Sequence, residues 1–255
     1  MVAGLQIIRP DKELPIPPHE ESWIQWTPYC SLIRTLNYLT ISTRPDIAFA
    51  VGHLASVLDC YRPKHWAATL RVVHYLKGAR LFTLQLDGKN PIQSLNYCNS
   101  DCANCPNTSC SVGTYCFSLG SGMLSWSSNK QQHIADSSCY AEYIALHEAS
   151  HELIFMRQLL DSLGFSMNQP TTLHCDNEAA CQISKDQHWH KRTRHFCIKY
   201  HSICDLIDED ELHINMVPSI NNTADILMKA LTCPHFEHLR NYLGVRPHVL
   251  HEEES

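Results

Sequence analysis

Residues 115–126 read Tyr115-Cys116-Phe117-Ser118-Leu119-Gly120-Ser121-Gly122-Met123-Leu124-Ser125-Trp126. Aromatic and aliphatic residues alternate with small or polar ones up to a Gly-Ser-Gly turn, and a second short run follows. That is the pattern of a β-hairpin. Upstream, Leu95 and Tyr97 alternate with polar residues as far as Asp101, and Cys105-Pro106-Asn107 makes a turn, so the hairpin extends to a three-stranded meander. Downstream, Ser137-Ser138 are helix-capping residues. Tyr143, Leu146, Ala149, Leu153, Met156, Leu160 and Leu163 then keep a spacing of three and four until Gly164, which predicts one long helix. Thr171–Cys175 is a short strand delivering Asp176 to a helix start. Phe196, Tyr200, Ile203 and Ile207 mark a further helix, Leu212, Ile214 and Met216 a last strand, and Ala224–Leu231 a final helix. The order βββαβααβα predicts an α/β domain with a mixed sheet covered by helices.

Three shorter helical patterns precede the meander. They are about 30–40 (Leu32, Leu36, Leu39), from Thr43-Arg44-Pro45-Asp46 onward (Ile47, Val51, Leu54, Leu58), and Pro63 to Lys77 (Trp66, Leu70, Val73, Leu76). Each buries one face, so a small helical layer is expected. Residues 1–28, with five prolines, read as an extended arm, and the acidic tail 246–255 as a disordered end.

Composition narrows the functional classes. With 255 residues, 44% hydrophobic and 18% charged, the chain has the makeup of a packed protein rather than a disordered or collagen-like one. Apolar runs such as 47–51 are far short of the roughly 20 residues that span a bilayer. No charged flank and apolar core mark the N-terminus as a signal peptide, so an intracellular setting, cytoplasmic or nuclear, with free thiols for the thirteen cysteines is expected. Residues 1–90 carry 10 basic against 7 acidic side chains, and residues 91–255 carry 10 against 19. This argues against an unspecialised nucleic-acid binder, but not against an enzyme whose carboxylates hold cations beside a phosphate backbone.

Four carboxylates fall at strand ends or first helical turns: Asp101, Glu142, Asp176 and Asp225. Carboxylates gathered at one sheet edge ionise together only with cations between them, a task suited to magnesium. Two ions about 4 Å apart activate a water and stabilise the leaving oxygen of a phosphodiester. Acidic residues also start helices simply because the macrodipole favours them there, and spacing alone leaves both readings open.

The ordered motifs Tyr115–Gly120, Leu124-Ser125-Trp126-Ser127-Ser128-Asn129-Lys130-Gln131, Ser137-Ser138-Cys139-Tyr140-Ala141-Glu142-Tyr143, Cys175-Asp176-Asn177 and Ala224-Asp225-Ile226-Leu227-Met228-Lys229 closely resemble the ribonuclease H domain of copia-type LTR retrotransposon Pol polyproteins. Tyr29–Ile33, Arg44–Ala48 and His74–Gly78 resemble the segment joining reverse transcriptase to that domain. The resemblance covers about 28–245. It implies a ribonuclease H-like five-stranded mixed sheet at 91–245 after a connection segment at 29–90, and metal-dependent hydrolysis of RNA in RNA–DNA hybrids. Two Mg2+ ions (or Mn2+) are implied, with no membrane and no small-molecule cofactor. The aspartate motif of the polymerase is absent, so no polymerase activity is expected.

By the same resemblance Glu142, Asp176 and Asp225 are expected to be catalytic metal ligands, with the Asn99–Asp101 strand completing the site and Asp101 as a further catalytic and metal-ligand candidate. The family's first strand reads Tyr-Ser-Asp-Ala-Asp, where this chain has Tyr97-Cys98-Asn99-Ser100-Asp101, so Asn99 stands at the metal-bridging position. Asp101 lies two residues, roughly 6.6 Å, along the strand, too far for simple replacement. Ser109-Cys110 replaces an Arg-Arg pair and Tyr140 the first glutamate of Glu-Ala-Glu. Activity is therefore expected to be impaired, or lost in a relic that retains only binding to nucleic acid or protein.

The segment His190-Lys191-Arg192-Thr193-Arg194-His195 resembles the family's His-x-Arg-x-Lys-His run. It suggests a helper role for His195, or else a capping or surface histidine. Lys191, Arg192 and Arg194 are candidates to grip a nucleic-acid backbone, or a solvated basic surface. Cys98, Cys102, Cys105 and Cys110 have spacing that admits zinc, though a strand end and turn is the simpler reading.

Overall fold

The computed structural model describes residues 17–86, 94–101, 110–132, 134–165, 169–185 and 197–248. They fall into two compact units, Met1–Leu86 with Lys229–Ser255, and Asp87–Met228.

The first unit is the helical layer. Helices α1 (Pro18–Trp26), α2 (Tyr29–Ser42), α3 (Ala48–Ala55) and α4 (Pro63–Gly78) are followed by strand β1 (Phe82–Leu84). Tyr29, Ile33, Leu36, Ile47, Val51, Leu54 and Val72 form its core. Part of the expected extended arm is thus helix. Pro18 sits at the first helical position, where its missing N–H costs nothing, and Glu20 and Glu21 complement the helix dipole. Residues 1–16 lie outside the described residues.

Arg44-Pro45-Asp46 is more than a cap. Pro45–Ile47 is a 3-10 turn, and the Arg44 guanidinium donates to both oxygens of Asp46, Nε to Oδ1 at 2.9 Å and Nη2 to Oδ2 at 2.8 Å. Tyr75 Oη donates to Asp46 Oδ2 at 2.6 Å and itself accepts from Arg240 Nη1 at 3.2 Å. Burial, with the negative charge of Asp46, pushes the Tyr75 hydroxyl up to about 12, so it stays a donor.

Arg240 belongs to helix α9 (Cys233–Tyr242), which with strand β7 (Val245–Pro247) groups with this helical unit rather than with the sheet. Strand β7 pairs antiparallel with β1, Phe82 opposite Pro247 and Leu84 opposite Val245. The start of the supposed tail is therefore paired strand, and 249–255 lie outside the described residues. The sheet-bearing unit ends at Met228, short of the expected 245, because residues 233–247 carry partners for Tyr75, Phe82 and Leu84.

The second unit is the expected mixed five-stranded sheet with flanking helices. Strands β2 (Ser94–Asp101), β3 (Val112–Leu119) and β4 (Met123–Lys130) form the antiparallel meander, and β5 (Thr171–Cys175) and β6 (Leu212–Met216) extend it in parallel. The spatial order is β4-β3-β2-β5-β6. The meander turns at Gly120, whose φ of 84° favours glycine.

Helix α5 (Ser138–Ser162) crosses from β4 back to β5, and α6 (Glu178–Lys185) and α7 (Cys197–Asp208) fill the connection to β6. Ser137 caps α5 by accepting from the Tyr140 N–H at 3.1 Å. Tyr143, Leu146, Ala149 and Leu153 of α5 pack with Cys98, Phe117, Leu173, Ile203 and Ile214. The expected last helix is short. Helix α8 spans only Asp225–Met228, all four residues buried, and a new helix begins at Cys233 with Pro234 in its first turn.

Candidate metal centre

Strand β2 pairs with β3 in a register that sets Asn99 opposite Thr114 and Asp101 opposite Val112. It pairs with β5 through Asn96–Leu173 and Tyr97–His174, which brings the end of β5, and so Asp176, beside Asn99. Helix α8 is docked onto the meander by hydrogen bonds rather than apolar burial alone. Asn222 Nδ2 donates to the Cys98 carbonyl at 2.9 Å, Thr114 Oγ1 to the carbonyls of Asn99 and Ala224 at 3.2 and 3.4 Å, and Ser128 Oγ to the Leu227 carbonyl at 2.6 Å. Three strands thus position Asp225.

The result is an acidic cluster with an amide inside it. Asn99 Nδ2 donates to Asp225 Oδ1 at 2.6 Å and to Asp176 Oδ2 at 3.3 Å. Its Oδ1 accepts from the Ser100 N–H at 2.7 Å. Asn99 is 2% exposed, Asp225 1% and Glu142 7%, so these contacts act with little solvent screening. Glu142 enters from the first turns of α5. Burial, then the charges of Asp176, Asp225 and Asp101, push its carboxyl up to about 9 against the opposing N–H of Ser100. Glu142 Oε2 is buried without a hydrogen-bond partner among the described residues.

Asp101 contributes to that field but is committed elsewhere, its Oδ1 accepting from the Val112 N–H at 2.8 Å across the ladder. His195, Lys191, Arg192 and Arg194 lie outside the described residues, as do Cys102 and Cys105 of the zinc spacing.

One neighbour went unnoticed in the sequence. Ligand atoms of Glu142, Cys175 and Asp176 lie within 4.8 Å of one another. Its signal was available, since Cys175 is the last strand residue before Asp176. Against the lowering pull of its hydrogen bond with Cys181, the Cys175 thiol is pushed well above its ordinary range by its bond with Cys98, by burial and by the Glu142 charge. It is a neutral thiol, a poor partner for a hard cation such as magnesium.

Glu142 lies beside Asp176, and the Asn99 amide ties Asp176 to Asp225. The two-ion arrangement implied by the resemblance does not fit these side chains as they stand. The amide N–H group of Asn99 bonds to one oxygen each of Asp176 and Asp225 and its oxygen accepts from the Ser100 N–H, so Asn99 would offer a cation neither charge nor an uncommitted oxygen.

No protein-family model matches the chain. It is 32% identical over 235 residues to the retrovirus-related Pol polyprotein from transposon TNT 1-94 of Nicotiana tabacum, covering 92% of this chain and 18% of that polyprotein. It is 31% identical over 219 residues to the corresponding polyprotein from transposon RE2 of Arabidopsis thaliana, covering 86% and 15%. The chain thus spans under a fifth of these relatives. Among solved structures, LC11-RNase H1 isolated from compost superimposes with a TM-score of 0.41 at 18% identity, over 54% of this chain and 93% of that one.

Proposed function

The chain belongs to the copia-type retrotransposon Pol polyproteins, as a portion with a ribonuclease H-like fold, and from that premise we propose that it engages RNA–DNA hybrids while its metal-dependent hydrolysis of the RNA strand is impaired at Asn99. Glu142, Asp176 and Asp225 are the inherited metal ligands in this reading, with Mg2+ or Mn2+ as the ion and Asp101 adding its charge on the first-strand side, where Asn99 supplies no charged ligand. Lys191, Arg192 and Arg194 grip the phosphate backbone, and His195 serves beside the scissile phosphate.

The observation that carries the reading is the pair of hydrogen bonds from Asn99 to Asp225 and Asp176. In the aspartate form of the family, that position brings a negative charge that cations must balance. Here a neutral donor meets the two carboxylates directly, which weakens the demand for an ion and removes a ligand at once. The same bonds favour a second reading, a relic that binds nucleic acid or protein without turnover.

The test is a labelled hybrid offered in magnesium and in manganese, with binding and cleavage read separately. Hybrid binding with cleavage well below that of Asn99→Asp supports the first reading. Binding with no cleavage in either metal selects the second. Cleavage by the unaltered chain equal to that of Asn99→Asp, or no affinity for hybrid, overturns the proposal.

A further inference from the structure

Five residues beyond Glu142 in α5 the sequence reads His147-Glu148-Ala149-Ser150-His151. Residues four apart share one helix face, so the two histidines stand one above the other. Their Nε2 atoms are 3.2 Å apart and the rings 4.4 Å centre to centre. An ion bound tetrahedrally at 2.0–2.1 Å from two imidazole nitrogens holds them roughly 3.3–3.4 Å apart. The pair is already at chelating separation.

The setting is favourable in other respects. Ala149, Ser150 and Leu153 are buried beside the pair, so the helix backbone that carries it is fixed by packing, while His151 is exposed. Glu148 and Glu152 flank the histidines in sequence and give the region negative charge. Glu152 Oε1 accepts from Ser125 Oγ at 2.5 Å. Glu148 is turned towards β3, its Oε2 3.6 Å from where a Cβ on Gly113 would lie.

We propose that His147 and His151 form a binding site for a borderline divalent transition ion such as Zn2+, held by two imidazoles with water completing the shell. Imidazole selects zinc, nickel or copper over magnesium. Among the described residues no third histidine, cysteine or carboxylate groups with the pair, so the site binds an ion without the three-ligand frame of a hydrolytic zinc centre. It is separate from the acidic cluster and independent of the hybrid reading.

The experiment uses the full chain, stripped with chelator and labelled with 15N at histidine. Zn2+ is titrated with calorimetry and imidazole spectra read together, and Mg2+ serves as the control. The expected result is displacement of the His147 and His151 imidazole nitrogens by Zn2+ and not by Mg2+, with at least a tenfold loss of affinity for that site in either His147→Ala or His151→Ala. Both variants are checked for folding by circular dichroism. His151→Ala alters an exposed side chain and keeps the test valid should His147→Ala fold poorly. Zinc heats that are unchanged in the folded variants, or resonances of the pair that do not move, overturn the proposal.

Discussion

The side-chain nitrogen of Asn99 lies 2.6 Å from Oδ1 of Asp225, an uncharged donor bonded to a carboxylate that is 1% exposed. A carboxylate so buried has lost most of its hydration, and the amide, with α8 docked around it, supplies part of what water gave.

Replacing that donor by a charge reverses the balance. Asn99→Asp places a further carboxylate beside Asp176, Asp225 and Glu142. The variant is expected to lose about 1–3 kcal/mol of stability in chelator and to regain it in millimolar magnesium, while the unaltered chain responds little. Thermal unfolding in chelator and in magnesium checks this. An unaltered chain that gains as much from magnesium as the variant contradicts it.

Glu142 sets a pH dependence. Its carboxyl is raised from its ordinary value to about 9, so the native state holds a proton that the unfolded chain releases. That contribution is complete below about pH 4.5 and is lost as pH rises through about 9, at no more than about 1.4 kcal/mol per pH unit. Glu142→Gln, neutral throughout, is expected to flatten stability between pH 6 and 9 in metal-free urea titrations. An unchanged slope removes Glu142 as the cause.

The helical unit has its own buried charge. Asp46→Ala leaves the Arg44 guanidinium, 9% exposed, without its carboxylate and Tyr75 without an acceptor. A loss of about 3–5 kcal/mol is expected by urea unfolding. Removing one partner costs more than the pair contributes, so Arg44→Met with Asp46→Leu is expected to cost less than Asp46→Ala alone.

If Lys191, Arg192 and Arg194 grip a backbone, neutralising all three weakens hybrid binding and flattens its salt dependence. The slope of log K against log salt is expected to fall by roughly 0.7–0.9 for each charge removed. Filter binding from low to moderate salt measures it. An unaltered slope assigns these residues to solvent.

Much of this protein was legible along the chain. The Tyr115–Trp126 hairpin, the cap at Ser137, the strands Thr171–Cys175 and Leu212–Met216 and the long helix up to Gly164 follow from local rules, because period, turn chemistry and capping act within a few residues. The expectation that Asn99 stands where the family's first-strand motif has aspartate came from sequence resemblance alone. Tertiary structure alone decided what that asparagine does. Its bonds to Asp176 and Asp225 join residues 77 and 126 positions apart, and no local pattern encodes which way an amide turns. It also decided that Arg44 and Asp46 are a buried pair closed by Tyr75 and Arg240, that Val245–Pro247 pairs with Phe82–Leu84, and that Cys175 adjoins Glu142. Each depends on which distant segments share a register or a core, and long-range pairing is set by the packing of the whole unit rather than by the propensity of any stretch.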